Sequence, residues 1–100
     1  MTRDEAIAQL AVVNQQINSV SLEIQYTQAN ITGLQQQIYW ANWNLQQPGI
    51  NQDQINWYNN QIRIYNDQLS YYNNRFLQLN GELSSLNRTA TSLNVIINMP

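Results

Sequence analysis

The chain has 100 residues, a net charge of −2 and 10% charged residues, with no His and no Cys, and its four cations are all Arg. That length allows one small domain, and without His or Cys it lacks the commonest metal ligands, the usual general base and a thiol nucleophile. Arg3, Arg63, Arg75 and Arg88 are too dispersed to form a basic stripe for nucleic acid, and no apolar run approaches the roughly 20 residues that cross a bilayer.

Asn and Gln together make 31 of the 100 residues, a bias that by itself suggests a disordered or prion-like segment. Periodicity argues otherwise. Met1-Thr2-Arg3-Asp4-Glu5 has no apolar region behind it and so no signal peptide. With no membrane span either, a virion or the cytoplasm is the expected location. Thr2 and Glu5 form a capping-box pair, and Asp4 and Glu5 favour the positive end of a helix dipole. From there Leu10, Ile17, Ile24, Ile31, Ile38 and Leu45 recur every seventh residue. Val13, Val20, Thr27, Leu34 and Ala41 each follow by three. This is an a/d heptad pattern, and it predicts a helix over about residues 3–46.

The pattern breaks at Gln46-Gln47-Pro48-Gly49-Ile50-Asn51. Proline cannot continue the helix and glycine accepts positive φ, so a turn is expected over about residues 47–52. Asn51 and Gln54 offer a second, weaker capping box. The heptads then resume with Ile55, Ile62, Leu69, Phe76, Leu83, Ala90 and Ile97 at a. Tyr58, Tyr65, Tyr72, Leu79, Leu86 and Leu93 occupy d. A second helix is therefore predicted over about residues 53–97, closed by Pro100, and each helix is about 65 Å long at about 1.5 Å per residue.

The two halves fit as antiparallel partners, an a position of one facing a d position of the other. Thr27 falls opposite Phe76 and Ala41 opposite Ile62, so small residues meet large ones, as dense packing requires. The expected fold is all-α: an antiparallel two-helix coiled-coil hairpin that assembles into a larger helical bundle. Helix 2 carries Asn at every e position, namely Asn59, Asn66, Asn73, Asn80, Asn87 and Asn94. Two readings are open for them, an amide ladder beside the seam or a solvated polar face.

A lone hairpin should be polar outside its seam, and this one is not. Helix 1 has Val12, Leu22, Tyr26, Ala29, Gly33, Trp40 and Trp43 at c and f, with Tyr39 beside the tryptophans. Helix 2 adds Trp57, Ile64 and Tyr71 at c. Exposed apolar patches mark interfaces, and Trp and Tyr are enriched at their energetic centres. Gly33 costs roughly 1 kcal/mol of helix stability against Ala and would allow a close helix approach. These residues are expected to form an outer apolar stripe that contacts either more copies of the chain or other structural proteins.

Little chemistry is available elsewhere. Glu23 and Glu82 come near each other and Arg75 at g positions, but no pocket, nucleophile or ligand set accompanies them, so a surface ion cluster is expected. Asn30-Ile31-Thr32 and Asn87-Arg88-Thr89 match the glycosylation sequon at the frequency that so many Asn produce by chance. No enzyme activity, catalytic residue, cofactor, metal or small-molecule substrate is expected. A membrane-surface role is disfavoured by the scarcity of cations. The turn Trp43-Asn44-Leu45-Gln46-Gln47-Pro48-Gly49 does not carry the Trp-x-Gly of small secreted helical hairpins. Low charge, no Lys and abundant amides, Ser and Thr look similar to phage tail and capsid accessory proteins, a resemblance that implies a structural role in a virion. The alternative is an adaptor or secretion-type hairpin that binds a protein partner through a Trp-rich tip.

Overall fold

A computed structural model describes residues 1–100. It contains two helices and no strand: α1 (Arg3–Leu45) and α2 (Gln52–Ile97), packed against each other as a helical hairpin. Both helix starts are capped through side chains. At α1 the Glu5 amide donates to Thr2 Oγ1 (3.1 Å), and the same hydroxyl donates to Glu5 Oε1 (3.2 Å). At α2 the pair is reciprocal. The Gln54 amide donates to Asn51 Oδ1 (2.9 Å) and the Asn51 amide donates to Gln54 Oε1 (3.1 Å). Two of the amides that a helix start leaves unpartnered are thereby satisfied.

The turn shows why α1 stops where it does. Its last carbonyls are taken up by tighter bonds, Gln46 N to Trp43 O (3.1 Å) and Gln47 N to Asn44 O (3.2 Å). Side-chain amides add to these, Asn44 Nδ2 donating to Trp40 O and Gln47 Nε2 to Trp43 O. Pro48 lacks a donor, and Gly49 has φ +81°, the chain's one positive value, a conformation that residues bearing a Cβ adopt only at a cost.

The chain divides into two compact units, Met1–Tyr26 with Leu77–Pro100, and Thr27–Phe76. In the first, Ala6, Val13 and Leu93 form a buried cluster with Leu10, Ile17, Leu86, Ala90, Ile96 and Ile97 packed around it. Leu79 is its one large side chain with no exposure. In the second, Thr27, Leu34 and Ala41 are buried beneath half-buried residues of α2, from Ile55 to Phe76. Every a and d position from Ala6 to Leu45 and from Ile55 to Ile97 is buried or half-buried.

Burial is unequal across the seam for a reason the residue sizes supply. The d positions of α1 are small or medium (Ala6, Val13, Val20, Thr27, Leu34, Ala41) and are all buried. Several of their partners on α2, Phe76 opposite Thr27 and Ile62 opposite Ala41 among them, are larger and half-buried, covering the small residue while keeping their own edges in water. In the second unit the α2 d positions are Tyr58, Tyr65 and Tyr72, all half-buried, as suits a side chain with an apolar ring and a polar tip. No buried side-chain polar atom lacks a hydrogen-bond partner.

Candidate functional site

The c and g positions decide where the outward residues meet. In an antiparallel pair the g edges of the two helices adjoin, and c lies just outside g on each helix. The c residues of both helices therefore border one side of the hairpin, which an isolated helical wheel does not reveal. In the second unit that side carries Gly33 and Trp40 from α1 and Trp57, Ile64 and Tyr71 from α2.

Ring geometry bears out the convergence. Trp40 and Trp57, on different helices, both pack edge-on against Tyr58, with centroids 5.5 Å and 4.9 Å away. Edge-to-face contacts of this kind contribute roughly 0.5–1.5 kcal/mol beyond area burial. They hold the two indoles as one ridge while leaving each about half exposed, 49% and 50%. Further along α2, Tyr71 stands edge-on to Tyr72 at 5.2 Å. Beside that pair lies an open groove of about 560 Å³, lined by Ala29, Asn30, Gly33, Leu34 and Gln37 of α1 and by Asp67, Gln68, Tyr71 and Tyr72 of α2.

Gly33 forms part of this groove. Its backbone is helical, and a Cβ built on it would meet nothing within 4 Å. Nothing inside the hairpin requires the missing side chain. Gly33 and Ile64 are half-buried: Gly33 sits in the groove wall, and Ile64, at c, is flanked by Gln61 and Gln68 of the g edge.

The remaining stripe residues are not gathered in this way. Trp43 is exposed at f, and Tyr39, at b, is the most exposed of the aromatics at 74%. Ala29 reaches the groove rim. In the first unit Val12, Leu22 and Tyr26 are exposed, and Val12 flanks a shallow hollow with Ala8, Gln9 and Val13. The stripe is therefore not confined to one side of the hairpin. Of its aromatic members, Trp40, Trp57 and Tyr71 collect on the g side of the second unit.

The middle of that side is uncharged. Between Asn30 and Tyr71 its g positions are Asn30, Gln37 and Asn44 on α1 and Gln54, Gln61 and Gln68 on α2, so the c and g residues there are apolar or amide only, with Arg75 at the next g position of α2. Asp67, at f, stands at the rim of the groove. Depletion of charge with enrichment of Trp and Tyr is the composition of the buried centre of a protein interface. The opposite edge differs: the six e-position Asn of α2 are all exposed. The hydrogen bond that Gln52 Nε2 donates to Asn56 Oδ1 (2.9 Å) runs along the helix. A solvated polar face is thus what these Asn form. Both sequons lie inside helices, with Asn30 half-buried.

Comparison with protein-family models, with curated proteins and with solved structures gives no match. No group of three or more His, Cys, Asp or Glu is placed to hold a metal ion, and no helix is long and apolar enough to cross a membrane.

Proposed function

We propose that this chain is a non-enzymatic structural assembly protein. In this reading the hairpin is a building element whose aromatic side packs against further copies or other structural proteins to complete a helical bundle. The observation that carries it is the ridge of Trp40, Tyr58 and Trp57 beside the Gly33 groove, an aromatic and amide surface whose one groove-lining charge is Asp67 at the rim.

Surface arithmetic supports the same reading. The chain exposes 7092 Å², against about 5,900 Å² for a compact monomer of this mass. Large side chains are almost absent from the fully buried set, where Leu79 stands alone. A hairpin with one narrow seam buries too little apolar area to be strongly stable by itself, and docking its second apolar side supplies the remainder. The composition, low in charge and rich in amides, suits a component of a virion such as a tail or capsid accessory protein.

Size-exclusion chromatography with light scattering tests the proposal on the Trp40→Asp variant, with Asn66→Asp as an exposed control. The reading requires that Trp40→Asp lower the assembled mass while Asn66→Asp leaves it unchanged. Equal behaviour of both variants would favour the second reading. There the hairpin is an adaptor or secretion-type module, and the half-exposed Trp40, Trp43 and Trp57 bind one different protein.

A further inference from the structure

We infer that the g side of the second unit is a two-fold contact between two copies of this chain, with Trp40 of each copy seated over Gly33 of the other. The inference deepens the proposed function by naming the occupant of the aromatic side, and it rests on that reading.

A two-fold contact needs a patch that complements itself, so ridge and groove must lie on one surface. Here they do. Trp40 belongs to the ridge around Tyr58, and Gly33, seven residues earlier on the same helix, opens the groove. Along α2, Trp57 and Tyr71 stand seven residues to either side of Ile64. Apposing two copies in opposite directions therefore sets Trp40 over Gly33, Trp57 over Tyr71 and Ile64 over its own counterpart. One axis, passing near Gln37 and Ile64, satisfies all three pairings to within about one helical turn.

Charge selects a second copy over a different partner. With Asp67 as the one ionised residue lining the groove, the centre of this surface offers little to a charged partner, yet it meets its own copy without like-charge repulsion. Antiparallel pairing also keeps the rim charge Asp67 opposite an amide, Gln61, rather than opposite itself. The area is adequate as well. Two helices about 10 Å wide over about 30 Å present about 600 Å² per copy, or about 1,200 Å² in total, the lower bound for specific stable interfaces. Gly33 then has a reason to lack a side chain. The space that a Cβ would enter is empty within the hairpin and is where the indole of the other copy would lie.

The chain has no cysteine, so an introduced thiol is the only one present. The full-length Ile64→Cys variant is treated with a short bis-maleimide at micromolar concentration, with Asn66→Cys as the exposed control. The inference predicts efficient covalent dimer for Ile64→Cys and little for Asn66→Cys, because only a residue near the axis faces itself. A size-swap series by light scattering accompanies it. Gly33→Leu should weaken self-association at least about tenfold, the loss expected when a buried aromatic anchor is displaced. Adding Trp40→Ala to Gly33→Leu should restore most of it. Circular dichroism checks that each variant keeps its helices. A chain that self-associates but fails to cross-link at position 64, or whose Gly33→Leu variant associates normally, overturns the inference and leaves the assembly reading standing. A monomer at all concentrations overturns the inference and, with it, the reading that the hairpin assembles with further copies of itself.

Discussion

Gly49 and Gly81 permit a test in which one chemical change has opposite signs. A Cβ added at either position would have no atom within 4 Å, so replacing either with Ala adds a methyl to open space. Only the backbone differs. Gly81 lies within α2 and has no positive φ, whereas Gly49 has φ +81°. At position 81 alanine removes the entropic cost of an interior helical glycine, a gain of roughly 0.5–1 kcal/mol. At position 49 alanine must hold the left-handed region, a loss of about 1–2 kcal/mol. The two variants should therefore differ by about 2 kcal/mol. At about 4–8 °C per kcal/mol for a domain of this size, that is a Tm gap on the order of 10 °C, Gly81→Ala above wild type and Gly49→Ala below. Thermal unfolding followed by circular dichroism at fixed protein concentration measures it. Shifts of the same sign, or a neutral Gly49→Ala, would refute the assignment of the turn to a left-handed glycine.

Three further outcomes follow from the same structure. Leu79→Ala, at the one fully buried large side chain, should cost about 2–5 kcal/mol in urea unfolding, clearly more than Leu83→Ala at a half-buried position of the same unit. Asn51→Ala removes one half of the reciprocal cap of α2 and should cost about 1 kcal/mol; Thr2→Ala, at the chain end, should instead show as local fraying in hydrogen exchange. Because the c and g positions of the aromatic side carry no charge between Asn30 and Tyr71, self-association should not weaken as salt rises to about 0.5 M, and sulfate should strengthen it; a steep loss with salt would point to ion pairing that the centre of this face does not contain.

The heptads make the hairpin legible from the sequence, because a seven-residue apolar period is compatible with little else, and Pro48-Gly49 marks its reversal. The capping pairs Thr2/Glu5 and Asn51/Gln54 are likewise readable, since their spacing encodes the hydrogen bond. The outer stripe is legible in content and not in arrangement. Val12, Leu22, Tyr26 and Trp43 can be identified as outward from one helix alone. That Trp40 and Trp57 converge on Tyr58 depends on which edges of two antiparallel helices adjoin. The half-burial of Gly33 and Ile64 has the same origin, because the neighbouring helix walls the g side. The Asn of α2 are ambiguous for a different reason: an amide ladder and a solvated face require the same residues at the same spacing, and only side-chain placement separates them.

Sedimentation equilibrium of the unmodified chain across a hundredfold concentration range bears most directly on the central claim, that the aromatic side of the hairpin is built to be covered. The account predicts a mass that rises from near 11.7 kDa to a defined multiple of it. A single species at 11.7 kDa throughout, with tryptophan emission as red-shifted as that of free indole in water, would contradict it.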